Sequence, residues 1–180
     1  MACRTVGRAL LAALVVLLAG CGPGEPTGPF PARPADIDTT TVDLCTALTA
    51  EQQDELGVEA GRARTGLLSD GPTRICGWSN FDDGYNYTVQ TLPVPALAVV
   101  NSPRSTIHVI DGYGIVRITE DEDSSPLCAN YVDVSDEFGL RVQVLLTGVD
   151  DDGASRTIDE VCERSSILTS HALRNLRFAP

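Results

Sequence analysis

Six cysteines are the residues of this chain best placed to do chemistry, and their surroundings divide them. Cys21 closes the tetrad Leu18-Ala19-Gly20-Cys21. Small residues before a cysteine are what signal peptidase II requires, and the cysteine thiol is what carries a diacylglyceryl group. The preceding residues have the parts of an export signal. Arg4 and Arg8 make a positive start, and Ala9 to Leu18 is an uncharged apolar run. That run is shorter than the ~20 apolar residues a bilayer span needs. Residues 1–20 are therefore expected to be a lipoprotein signal peptide, removed with Cys3 inside it. Cys21 is expected to anchor the mature chain to the extracytoplasmic face of the cell membrane. Its acyl chains, such as palmitate, would contribute about 0.8 kcal/mol per buried CH₂.

Cys45, Cys76, Cys128 and Cys162 remain. An even number of cysteines in an exported chain points to disulfides. Four allow three pairings. Cys45 with Cys76 and Cys128 with Cys162 is preferred, because each pair then ties a terminal helix to a strand. Each bridge would be worth about 3–4 kcal/mol in the chain-entropy picture. A zinc site is disfavoured by the wide gaps and the lack of any CxxC. No metal or cofactor site is read from these residues.

Other reactive groups are few. His108 alternates with Ile107 and Val109 and should face away from them, while His171 falls off the apolar stripe of the last helix; both read as surface residues. Gly77-Trp78-Ser79 begins like a nucleophile elbow but continues Asn80-Phe81 without the closing glycine. Trp78 reads as core packing beside a disulfide, with a ligand platform as the minor alternative. Asp150-Asp151-Asp152-Gly153 superficially suggests a calcium loop, but Gly148 then falls on the first ligand position, so the EF-hand pattern fails. Glu120-Asp121-Glu122-Asp123 reads as a solvated hairpin loop. All 13 basic residues are arginine, so lysine Schiff-base chemistry and a P-loop lysine are excluded. The net charge is −12 at pH 7, and losing the signal removes two arginines and no acid. Such a surface repels nucleic acid and anionic lipid head groups.

The elements that must position these residues follow in order. Residues 21–42 read as a lipidated Pro/Gly-rich tether; the prolines from Pro23 to Pro34 favour extended, non-helical chain. Phe30 within it reads as incidental. Residues 43–180 read as one extracytoplasmic domain. Asp43 to Leu56 is expected to be helical in two pieces, with a capping box at Thr49-Ala50-Glu51-Gln52 and a stop at Gly57. Val58 to Thr73 reads as a loop. Strands are expected over Arg74–Phe81, Tyr85–Leu92, Ser105–Ile110, Tyr113–Thr119, Cys128–Val134 and Leu140–Leu146, with about one helical turn at Ala96–Val100. Thr157-Ile158-Asp159-Glu160 caps a last helix with an apolar stripe of Ile158, Val161, Cys162, Leu168, Ala172 and Leu176. The expected fold is α+β: an antiparallel sheet of five or six strands packed with N- and C-terminal helices and two disulfides.

The lipobox, the proline-rich segment, DLCTALTAEQQDELG, CGWSN, LCANYVDV and a C-terminal helix carrying Cys162 together resemble the actinobacterial lipoprotein family called domain of unknown function 3558. Cys45, Leu48, Thr49, Cys76, Trp78, Cys128 and Cys162 match that pattern; Ala47 and Ala50 stand where it would have leucine and proline. The likeness covers about Asp43 to Phe178. It implies a fold and a location but no reaction. Two functions are carried forward. One is a lipid-anchored binding or accessory module acting on an envelope protein or small molecule. The other is a carboxylate-dependent envelope enzyme, such as a glycan hydrolase, whose acids have no fixed spacing in sequence.

Overall fold

The computed structural model describes residues 28–121, 125–147 and 156–179. Cys21, Asp150, Asp151, Asp152 and Gly153 lie outside the described residues. Seven strands form one antiparallel sheet: β1 (Arg62–Leu68), β2 (Gly71–Asn80), β3 (Tyr85–Leu92), β4 (Ser105–Ile110), β5 (Tyr113–Glu120), β6 (Leu127–Val132) and β7 (Gly139–Leu146). Their spatial order is β1-β2-β3-β7-β6-β5-β4. Two meanders, one of three strands and one of four, are thus zipped together where β3 pairs with β7 from Tyr85↔Leu146 to Leu92↔Gly139.

Seven strands, not five or six, is a correction, and the added one is β1. Val58 to Thr73 is not all loop: Arg62–Leu68 pairs residue for residue with β2, from Arg62↔Gly77 to Leu68↔Gly71. The stretch Arg-Ala-Arg-Thr-Gly-Leu-Leu buries almost nothing, so it shows no apolar alternation. It becomes a strand because β2 offers an unpaired edge and Asp70-Gly71 turns the chain back, Gly71 standing at φ +140°.

Period-two alternation gives the sheet one apolar face. Cys76 and Trp78, Tyr85, Tyr87 and Val89, Leu140, Val142, Val144 and Leu146, and Cys128 and Val132 all point into a single core. The helix α2 (Ile158–Leu176) lies on that face and contributes Val161, Cys162, Leu168, Ala172 and Leu176. Burying a Leu or Val side chain contributes about 1.5–3 kcal/mol, so this stripe fixes the docking of α2. Ser165 and Thr169 share the stripe because Asn130 of β6 meets them, its Nδ2 donating at 3.1 and 3.0 Å. The N-terminal helical region is a 3₁₀ turn at Leu44–Ala47 followed by α1 (Ala50–Glu55). Thr49 and Thr157 both form complete capping boxes, with Gln52 and Glu160 returning the bond. Gly57 follows α1 at φ +64°, where a Cβ would be strained.

The second half of the expected tether belongs to the domain. Ile37, Thr39 and Val42 are buried, and Ile37 N–H donates to Val134 O at 3.0 Å. Phe30 is not incidental: a Cβ on Gly114 would sit 2.5 Å from its ring, so the glycine leaves the slot that Phe30 fills. Arg33 bonds Asp36 and Asp133 at 2.9 Å each, and Asp136 as well. Partial burial opposes its charge, but the bonds to Asp136, Asp133 and Asp36 outweigh that and raise its pKa. Proline favours extended chain, and here the extended chain runs along the sheet instead of away from it.

Candidate functional site

The two disulfides stand on the helix-facing side. Cys45, in the 3₁₀ turn, is bonded to Cys76 of β2, and Cys128 of β6 to Cys162 of α2. Trp78 lies beside the first of these at 2% exposure, which removes it as a ligand platform. Neither histidine is free. His108 is half-buried on β4, with Nε2 2.8 Å from Thr106 Oγ1, and burial together with the Arg117 charge lowers its pKa. It does alternate with Ile107 and Val109, but those are the exposed ones, at 47% and 59%. His171 Nδ1 lies 3.0 Å from Gln52 Nε2, knitting α1 to α2, and burial lowers its pKa.

Beneath α2, one end of the sheet carries a stacked arginine cluster. Arg164 lies 4.0 Å over the Tyr85 ring and donates to Tyr87 Oη at 2.7 Å, while Arg156 lies 4.9 Å from the same ring. Asp83 Oδ2 stands 3.4 Å from Arg164 and 3.9 Å from Arg156. Burial raises the Tyr87 pKa against the pull of Arg164. Every charge here has a partner, so the cluster clamps the helix to the β2–β3 hairpin.

The opposite, outer face of the sheet is different. A groove of about 510 Å³ runs over β1, β2, β3 and β7. The register places Arg62 opposite Gly77, Gly77 opposite Thr88, and Arg64 opposite Ile75. Arg62 and Arg64 are two apart on one strand and so share this face. Gly77 has no side chain, and the Arg64 guanidinium uses that space: a Cβ there would lie 3.1 Å from Nη2. The far wall is tied together. Ser79 Oγ donates to Asn86 Oδ1 at 2.8 Å, and Asn86 Nδ2 donates to Thr147 Oγ1 at 2.8 Å. Phe81, 75% exposed, closes one end. Glu59 is the one carboxylate in the described lining, and it pairs with Arg62 at 3.1 Å, both side chains well exposed. Arg64 has no carboxylate partner among the described residues.

The chain matches the family described as "Protein of unknown function (DUF3558)" over residues 16–175. It belongs to that family. Neither a curated protein nor a solved structure matches it.

Membership attaches no chemistry to the groove, so the geometry must. It can hold an anion between two guanidiniums and hydrogen-bond a polar ligand along Asn86 and Thr88. Its serine and its carboxylate are each engaged elsewhere: Ser79 Oγ donates to Asn86, and neighbouring Glu59, whose N–H bonds Ser79 O at 3.4 Å, turns its carboxylate to Arg62. His108 lies on β4, the far edge of the sheet from β1. Among the described residues no three His, Cys, Asp or Glu side chains converge as a metal-ligand set, and no helix is long and apolar enough to cross a membrane. Arg62 and Arg64 were missed from sequence because they sit in the stretch that reads as loop. Asp70-Gly71, a hairpin dipeptide like Asp83-Gly84, is the signal that would have exposed them.

Proposed function

We propose that this protein is a lipid-anchored, extracytoplasmic binding or accessory module of the cell envelope, tethered to the membrane through Cys21. Its outer-face groove receives an envelope protein or a small molecule. The observation that carries this reading is the groove itself: a cation pair and a polar wall on the outer face of the sheet, with Ser79 bonded to Asn86 and Glu59 to Arg62. The lipobox Leu18-Ala19-Gly20-Cys21 supports the anchor. Cys21 precedes the packed Phe30 by only nine residues, so a lipid there keeps the domain near membrane partners and raises its effective concentration for them.

Two measurements test this. Replacing Cys21→Ala should move the protein from the membrane to the soluble fraction; a variant processed and retained like the parent removes the anchor. In-cell cross-linking from a photoreactive residue at Phe81 should capture a specific partner. Turnover of a glycan substrate by the anchored protein, abolished by one Asp or Glu substitution and with no partner captured, would replace the binding reading with an enzymatic one.

The alternative, a carboxylate-dependent envelope enzyme such as a glycan hydrolase, has one observation in its favour. A pocket of about 560 Å³ is lined by Asp36, Asp38, Asp136 and Glu137. A glycosidase needs one acid of raised pKa to protonate the leaving group. Asp36 and Asp136 are instead claimed by Arg33. Asp38 accepts bonds from Thr40 and Thr41 that lower its pKa, marking a turn anion and not a proton donor.

A further inference from the structure

We propose that the free edge of β1 receives an extended acidic peptide as an eighth strand, with two alternate carboxylates seated on Arg62 and Arg64. This rests on the binding-module reading and names the chemistry of the partner.

β1 is one of the two ends of the sheet. Six of its seven residues are exposed, so both of its faces are open as well as its outer edge. An incoming strand would pair with backbone groups that have no ladder partner and would cover surface that nothing now covers. Side chains two apart on such a strand lie on one face, so carboxylates at alternate positions fall opposite Arg62 and Arg64. Opposite charges facing across an antiparallel pair stabilise it. Arg64 leans inward over Gly77 of β2 and has no carboxylate partner among the described residues; its side chain is exposed and can turn to the outer edge to meet one. Arg62 has only the exposed pair with Glu59, a kind worth about 0–1 kcal/mol, which a ligand carboxylate can replace.

Charge selects this edge over the other. The chain carries a net charge of −12, so an acidic partner is repelled from most of its surface. β4, the opposite edge, has no charged residue between Ser105 and Ile110. On the second face of β1, Ala63 and Thr65 leave room for any small side chain, and Leu67, 81% exposed, offers an apolar contact. In the commoner antiparallel sense the recognised pattern is apolar–x–x–acid–x–acid, the apolar residue opposite Leu67.

The test uses the full chain in detergent with a fluorescent Val-Thr-Thr-Glu-Thr-Glu peptide and its glutamine counterpart. Saturable anisotropy is expected for the glutamate peptide, weakened about fivefold by Arg62→Gln or Arg64→Gln and further by both. Slower amide hydrogen exchange across Arg62–Leu68 should accompany binding, and free glutamate should not reproduce it. The proposal is overturned by absence of binding, by equal binding of the glutamine peptide, by binding that survives the double variant, or by binding without protection of β1. Both arginines are exposed, so the variants should keep the parent's melting temperature. If the double variant fails to fold, a lysine-for-glutamate peptide on the parent chain decides, and its binding as tightly as the glutamate peptide overturns the idea. A partner cross-linked in cells by the double variant as well as by the parent would sink this inference and leave the binding-module reading standing.

Discussion

At the scale of single residues, charge placement tells which acids matter for folding. Asp111 sits at φ +49° in the β4–β5 turn, and its Oδ2 accepts from Ser170 Oγ at 2.7 Å and from Arg174 Nε at 3.1 Å. Partial burial works against its charge, yet those bonds and the Arg174 and Arg177 charges lower its pKa. A carboxylate depressed on folding stabilises the fold above its unfolded pKa of about 4, and that stabilisation disappears as pH falls through the folded value. Asp111→Asn, which keeps the shape and tolerates positive φ, should therefore melt below the parent at pH 6. The two melting curves should converge near pH 2; a constant gap would show that charge is not the cause. Arg33 makes a complementary case. Arg33→Met would strand Asp133, 6% exposed, without its cation and should cost about 2 kcal/mol in urea unfolding. It should also expose the peptide bonds near Ile37 to protease, since the same arginine holds that segment to the sheet.

Among the elements, α2 carries the most. Its start is set by Thr157, whose Oγ1 accepts from Glu160 N at 3.3 Å while Glu160 Oε2 accepts from Thr157 N at 2.8 Å. Thr157→Ala should cost about 1 kcal/mol by chemical denaturation, in the range for capping residues. An unchanged midpoint would mean the Cys128–Cys162 bridge already holds the first turn. A polar seam runs along the same helix face beside the apolar stripe. Arg117 donates to Asn130 Oδ1 at 3.0 Å and to Ser166 Oγ at 2.7 Å, and burial lowers its pKa. This seam sets the register of α2 on β6, because an apolar stripe alone tolerates sliding and a directional bond does not.

For the whole molecule, the disulfides act as two independent staples across one core, one for each helical end. Each should contribute about 3–4 kcal/mol through the unfolded chain. Cys45→Ala with Cys76→Ala and Cys128→Ala with Cys162→Ala should each lower the melting temperature, and the combined losses should add, since the two bridges share no partner. Marked non-additivity would mean that the two halves of the sheet, meeting at β3 and β7, unfold separately.

What the residues alone determined is whatever depends on near neighbours. The two capping boxes need only four residues each, the last helix shows its own period, and strands such as Tyr85–Leu92 alternate because one face is buried. The resemblance to the family was read from the same kind of local signature around Cys45, Cys76, Cys128 and Cys162, and the family match spans residues 16–175. Tertiary structure decided the rest. β1 has no burial pattern to announce it, because an edge strand exposed on both faces is held by backbone pairing, to which side-chain type is nearly blind. Residues 28–42 are rich in proline and still pack, because Gly114 leaves a slot for Phe30 and Asp133 meets Arg33 from a strand end far along the chain. The groove exists only in the β1–β2 register, which sets a bare glycine beneath Arg64. A cation and the space it occupies, contributed by two strands, have no common signature in a linear chain.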